Sequence, residues 1–181
     1  MSSADRVDCS RKAKNMKVQD VMTYDVQICA PETNLATVAM QMWRGDFGAM
    51  PVVAGKKVVG MITDRDICIA AATKHRDPVK IRVKEVISGQ VYGCSCDTDI
   101  HEALKIMQQK QVRRLPIISP EDGRLQGILS MSDLALKVTT ERWVGLSAED
   151  VSNTLRAICA HRAVARAKPV QQPVAQQLAI A

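Results

Sequence analysis

The chain is short of aromatic residues: Tyr24, Trp43, Phe47, Tyr92 and Trp143 are all it has in 181 residues. Modules that grip single-stranded nucleic acid stack bases on exposed aromatic rings. A formal charge of +6 is therefore a thin argument for such a partner, and none is expected. Also missing is any apolar run of the roughly 18–20 residues that a membrane helix needs. The first 17 residues alternate charged and polar side chains, with no apolar stretch of the kind that directs secretion, so a cytoplasmic protein without a membrane partner is expected. The six cysteines, Cys9, Cys29, Cys68, Cys94, Cys96 and Cys159, form no Cys-x-x-Cys pair. A chain this long builds a core without a disulfide framework, and the thiols are read as reduced. There is no P-loop, dinucleotide-binding glycine fingerprint or His-x-x-x-His metal pair. His75, His101 and His161 stand apart from any recognisable nucleophile, so neither enzymatic activity nor a catalytic cofactor is expected. Cys68 lies on an apolar helix face and reads as an inert core thiol.

What the chain does contain is an internal repeat, which decides the architecture. Residues 18–53 align without a gap to residues 83–118. Identical pairs are Val18/Val83, Val21/Val86, Val26/Val91, Cys29/Cys94, Thr33/Thr98, Met42/Met107 and Pro51/Pro116. The second copy then has a longer turn at Glu121-Asp122-Gly123. The match resumes as Gly60-Met-Ile-Thr-Asp-Arg-Asp66 against Gly127-Ile-Leu-Ser-Met-Ser-Asp133.

Each copy reads as strand, helix, strand, strand, helix. Val26-Gln-Ile-Cys29 is a short β-rich stretch, after which Pro31, Thr33 and Asn34 signal a helix start. Leu35, Val38, Ala39 and Met42, like Ile100, Ala103, Leu104 and Met107, fall at the spacing of one buried helix face. Met50-Pro-Val-Val53 with Lys57-Val-Val-Gly-Met-Ile62, and Leu115-Pro-Ile-Ile118 with Arg124-Leu-Gln-Gly-Ile-Leu129, read as hairpins feeding a second helix at Thr63 or Ser130. The expected fold class is α/β (α+β). The expected organisation is a basic extension over 1–16, repeats over 17–76 and 82–140, a helical extension over 141–168 and a flexible tail over 169–181. In the extension, Ser147-Ala-Glu-Asp150 has the capping-box pattern. Val151, Leu155, Ile158 and Cys159 form the apolar stripe, with Arg156, Arg162 and Arg166 largely off it.

The paired pattern of Val18-x-x-Val21-Met22-Thr23, Pro51-Val52-Val53 and Gly60-x-Ile62-Thr63-x-x-Asp66, twice in register, resembles a tandem pair of cystathionine-β-synthase (CBS) domains. The likeness covers about residues 17–140, and its wording is similar to that of small stand-alone bacterial pairs. It implies two β-α-β-β-α units packed about a pseudo-twofold axis, in a disc that commonly pairs with a second copy.

Thr63-x-x-Asp66 and Ser130-x-x-Asp133 sit where a strand runs straight into a helix. Free backbone N–H groups and the helix dipole there suit an anion, the hydroxyl suits a phosphate, and an Asp one turn on can accept from both hydroxyls of a ribose. The same spacing is the capping box that an abruptly starting helix needs. The resemblance favours the ligand: it implies ribose on the Asp and phosphate near the Thr or Ser. It also places Arg113 and Arg114, which stand where the first copy has Gly48 and Ala49, at the mouth of a central cleft, and Thr23 and Ser88 beside the base. Arg65 and Ser132 face ligand or solvent. Met50, Pro51, Leu115 and Pro116 are pocket wall or strand core. Together these imply a non-catalytic regulatory module for an adenosine-containing ligand: AMP, ADP, ATP, S-adenosylmethionine or NAD(H). It would act as a homodimer read by a regulated protein partner. The rival readings are an interaction module with no nucleotide, and a metal- or redox-responsive version. The latter would use Cys94, Cys96 and His101, whose thiolates and imidazole are zinc's ligand types.

The positive charge is not spread evenly. Residues 1–17 carry five Lys/Arg against two Asp/Glu, and 151–181 carry four against none. Residues 18–150 hold 16 against 17. The repeats are nearly neutral and the ends are basic, which places any acidic partner at the ends.

Overall fold

The repeat in sequence is a repeat in space. A computed structural model describes residues 16–138 and 145–160. The first copy supplies α1 (Leu35–Gly45), β1 (Ala49–Ala54), β2 (Lys57–Thr63) and α2 (Asp64–Thr73). The second supplies α3 (Ile100–Lys110), β3 (Arg114–Ile118), β4 (Leu125–Ser130) and α4 (Met131–Val138), and α5 (Ala148–Cys159) follows. Asn34 starts α1 by accepting from the Thr37 N–H, and Asp99 starts α3 by accepting from the His101 N–H. Both helices end on a left-handed residue, Asp46 and Gln111, each with φ of 51°. That cap reverses the chain into the hairpin. The expected stripes are buried: Leu35, Val38 and Met42 on α1, and Ile100, Ala103, Leu104 and Met107 on α3.

The two hairpins are antiparallel, with matched registers Val52 to Gly60 and Ile117 to Gly127, and each has a bulge one step later. They meet through Lys57 and Arg124 and through the Val58 N–H, which donates to the Gly123 carbonyl at 3.4 Å. The strand expected over Val26–Cys29 shrinks to one residue. Cys29 donates to the Pro51 carbonyl and accepts from the Val53 N–H, and Cys94 repeats this with Pro116 and Ile118. The chain turns away immediately, at Ala30–Thr33 in one copy and Ser95–Thr98 in the other, so the pairing cannot lengthen.

The leads of the two copies are exchanged. Leu35 donates to the Ile81 carbonyl and Val83 to the Thr33 carbonyl; in mirror fashion Ile100 donates to Met16 and Val18 to Thr98. Ile81 and Val83 thus complete the core around α1, while Met16, Val18, Val21 and Met22 complete the core around α3. Each fully buried side chain of this kind contributes roughly 1.5–3 kcal/mol, so the copies stabilise one another. Thr23 also pairs with Ile128 through two 2.9 Å backbone bonds, laying the first lead beside β4.

α5 packs on α3 and α4 and begins with the expected capping box of Ser147 and Asp150. Its buried face differs from the expected stripe. Thr154 and Ile158 are buried, whereas Leu155 and Cys159 are exposed. A polar residue takes the inner position because the Thr154 hydroxyl accepts from Gln108 Nε2 at 2.7 Å. Cys68 is likewise exposed, not core: the inner face of α2 is Ile67 and Ala70, and Cys68 is one residue, about 100°, further round. No helix among the described residues is long and apolar enough to cross a membrane. Residues 1–15 of the basic extension expected over 1–16, Arg162, Arg166, His161 and the tail over 169–181 lie outside the described residues.

Candidate functional site

At the foot of each hairpin the second strand becomes a helix without a break. Thr63 closes β2 and caps α2, and Asp66 Oδ2 accepts from the Thr63 N–H at 2.9 Å and from its hydroxyl at 2.6 Å. Ser130 and Asp133 repeat the arrangement at 2.8 and 2.7 Å. The capping box is therefore realised in both copies. It uses one carboxylate oxygen only. Oδ1 of Asp133 accepts the Thr23 hydroxyl at 3.4 Å, and Oδ1 of Asp66 has no protein donor among the described residues. The cap and a ribose contact can coexist on one carboxylate.

The expected free N–H groups at the start of α2 are not free. Asp64 donates to the Gly48 carbonyl, Arg65 to Asp64 Oδ1 at 2.7 Å, and Asp66 to the Thr63 hydroxyl at 3.2 Å. The helix start is closed by its own side chains, so an anion here must be held by arginine.

Two cavities flank these elements. The first, of about 580 Å³, is lined by Thr63, Asp64, Arg65, Asp66, Ser88, Arg113 and Arg114, with Gln90, Tyr92, Gln111 and Ile158 at its sides. The second, of about 390 Å³, is lined by Thr23, Asp25, Asp46, Phe47, Arg114, Ser130 and Asp133 among others. Both fall within the usual range for small-molecule sites, about 300–1,000 Å³. They are pseudo-twofold images: Thr63/Ser130, Asp66/Asp133 and Ser88/Thr23 occupy matching places. Their charges are opposite. Arg65, Arg113 and Arg114 face Asp64 and Asp66 in the first, while Asp25, Asp46 and Asp133 face Arg114 alone in the second. Among the described residues none of the three arginines has a carboxylate within ion-pair distance.

Of the residues singled out from sequence, nine thus line one cavity or the other. Met50, Pro51 and Pro116 line neither: they are buried in the hairpins, and strand packing accounts for them. Ser132 is exposed on α4 and outside both walls. Asp25, Asp46, Phe47, Gln111 and Ile158 were not anticipated. Asp46 and Gln111 carried a usable signal, because they are matching helix ends two residues before the Gly48/Arg113 difference. Ile158 carried none.

Cys94, Cys96 and His101 are not gathered: among the described residues no group of three or more His, Cys, Asp or Glu is placed to hold a metal. Burial pushes the Cys94 and Cys29 thiols up to about 11.

The profile of the CBS domain matches residues 18–72 and 83–139. The CBS domain-containing protein YhcV of Bacillus subtilis is 32% identical over 136 residues, 75% of this chain and 95% of that protein. A crystal structure of Hypoxic Response Protein I with two coordinated zinc ions superposes with a TM-score of 0.61 at 32% identity, covering 67% of this chain and 98% of that one. The CBS pair of protein MJ0100, in complex with 5′-methylthioadenosine and S-adenosyl-L-methionine, has a TM-score of 0.60. At 21% identity over 68% of this chain and 96% of that one, it shares the fold.

Proposed function

The chain belongs to the CBS domain family, and from that premise we propose that it is a non-catalytic regulatory module that binds a phosphorylated adenosine in its arginine-lined cleft. The observation that carries this is the convergence of Arg65, Arg113 and Arg114 on the 580 Å³ cavity beside Asp66. Three like charges against two carboxylates, none of them ion-paired among the described residues, favour an anion, and guanidinium forks suit phosphate. The uncapped oxygen of Asp66 supplies the ribose acceptor one helical turn away. The acidic cleft disfavours phosphate through Asp25, Asp46 and Asp133, so one phosphorylated ligand per chain is the expected stoichiometry. A pair of this fold is known in complex with adenosine compounds, which supports the reading.

Binding would shift the packing of the two repeats, and a partner protein in the cytoplasm would read the altered surface. Self-association is part of the proposal. Met40 and Trp43, one turn apart on α1, and Ile69 on α2 are exposed apolar side chains.

A thermal-shift panel of AMP, ADP, ATP, S-adenosylmethionine, NADH and zinc tests the reading, since a ligand that binds only the folded state raises the Tm. AMP, ADP or ATP should raise it. No shift with any adenosine compound at millimolar concentration would refute the nucleotide site. A shift with zinc alone would favour the metal reading that Hypoxic Response Protein I suggests.

A further inference from the structure

α5 lies outside both stretches matched by the CBS profile, yet it reaches the arginine-lined cleft. Ile158, 9% exposed, lines that cavity together with Thr63, Asp66, Arg113 and Arg114. Residues at the cleft hold the last turn of the helix in place. Gln111 Nε2 donates to the carbonyls of Ala157 and Ala160 at 3.3 and 2.8 Å, and Arg113 Nη2 lies 3.7 Å from Cys159 Sγ as its donor. Gln111 and Arg113 are themselves part of the cavity wall. One turn earlier, Gln108 holds Thr154.

The other cleft has no such wall. The residues matching Gln111 and Val112 are Asp46 and Phe47, and Trp43, which matches Gln108, is 83% exposed. No helix among the described residues covers that side. Among the described residues, only the arginine-lined cleft is therefore walled by an element from outside the repeats.

We propose that α5 is a component of the ligand site in the arginine-lined cleft, with Ile158 as an apolar wall against the bound nucleotide, so that filling the cleft and docking α5 stabilise each other. The inference rests on the nucleotide reading above. Coupling between two events is reciprocal: if docked α5 improves binding, bound ligand improves docking by the same factor. Occupancy of the cleft is thereby converted into the stability of an exposed helix that a partner can sense.

The test uses the full chain with AMP as probe, hydrogen–deuterium exchange as one readout and calorimetric affinity as the other. Saturating AMP should slow exchange across residues 151–160 by about fivefold or more, and Ile158→Ala should weaken AMP by a similar factor of about five. Leu155→Ala, on the outer face of the same helix, should leave the affinity unchanged. If Ile158→Ala does not fold, exchange in the unaltered chain decides alone. AMP binding with unchanged α5 exchange would overturn this inference and leave the nucleotide reading standing. Protected α5 with undiminished affinity in Ile158→Ala would keep the coupling and overturn the assignment of Ile158. No binding of AMP or any other adenosine compound would overturn both.

Discussion

The Thr23 hydroxyl donates to Asp133 Oδ1 at 3.4 Å, across a separation of 110 residues. The contact exists because the first copy's lead crosses the second copy's hairpin, with Thr23 and Ile128 exchanging two backbone bonds. Gly127 lies directly beneath: a Cβ there would sit 2.7 Å from the Thr23 carbonyl oxygen and 3.1 Å from Met22 Sδ. The matching Gly60 faces the tip of Ile87 at 2.7 Å, a flexible side chain that can move aside. Gly127→Ala should therefore destabilise by about 2–3 kcal/mol, and Gly60→Ala by about 1 or less. Urea unfolding of both variants checks this; equal losses would mean that the crossing backbone is as yielding as a side chain.

The opposite charges of the two clefts give a prediction that does not depend on α5. Arg113→Ala or Arg114→Ala should weaken AMP by about tenfold or more, the usual loss of a charged hydrogen bond at about 1.5–3 kcal/mol. Asp133→Ala, which removes the matching cap at a similar cost in stability, should leave the affinity of the arginine-lined cleft unchanged. Asp66→Ala removes a cap as well as the ribose acceptor. It should cost about 1 kcal/mol of stability in addition to binding. Calorimetry and melting must be read together for that variant. Two AMP molecules per chain would contradict the charge argument.

The helices and hairpins were legible in the sequence because their information is local. Met42 and Met107 sit at the same step of the same apolar period, and Ser147 with Asp150 announces a cap at a fixed spacing. The exchange of leads was not legible. Val18 and Val83 are identical and would fit either core, so the pattern contains no choice between packing at home and packing across. The inner face of α5 was hidden for a different reason. Thr154 is buried because Gln108, far away in the chain, supplies its hydrogen bond, and no hydrophobic period encodes that. The cleft was half legible: Arg113-Arg114 against Gly48-Ala49 showed an asymmetry, but Asp25 and Asp46 enter the acidic cleft only through the folded path of the chain.

The thiols divide by burial. Cys29 and Cys94, with thiols pushed up to about 11, carry almost no thiolate near neutral pH, and thiolate is the reactive form. Cys68 and Cys159 are exposed. Brief treatment with a maleimide should label Cys68 and Cys159 first, and Cys29 and Cys94 only when the chain is unfolded. Mass spectrometry of the labelled peptides reads the order. Early labelling of Cys29 would show that the first core opens locally.

Trp43, 83% exposed on α1 with Met40 at 49% beside it, is an unusual position for the largest apolar side chain. The same face in the second copy is the one that α5 packs against. Among the described residues, α1 has no such helix over it, so the self-association proposed above would use the α1 side. Sedimentation should show a dimer that Trp43→Glu converts to a monomer, with AMP affinity within about twofold of the parent because Trp43 lines neither nucleotide cleft. A parent chain that sediments as a monomer would remove self-association from the proposal.

α5 should also be the element that loosens in acid. The Ser147 hydroxyl, and then its backbone N–H, hold the Asp150 carboxyl below the ordinary carboxylate range. Unfolding releases both bonds, so the unfolded chain takes up the proton first, and stability rises with pH through that window. The contribution is complete above about pH 4 and fades as pH falls through the lower value of the folded state. Asp150 is largely in solvent, so the effect stays within the roughly 1 kcal/mol of such a cap. The clean measurement is a difference. Ser147→Ala should melt below the parent near neutral pH, and the gap should narrow as pH falls below about 4, the ordinary carboxylate value. Glu85, which the Arg82 N–H and Arg76 also hold low, titrates in both chains and cancels. A gap that does not narrow as the acid transition is approached would mean that the ionised cap contributes nothing to α5.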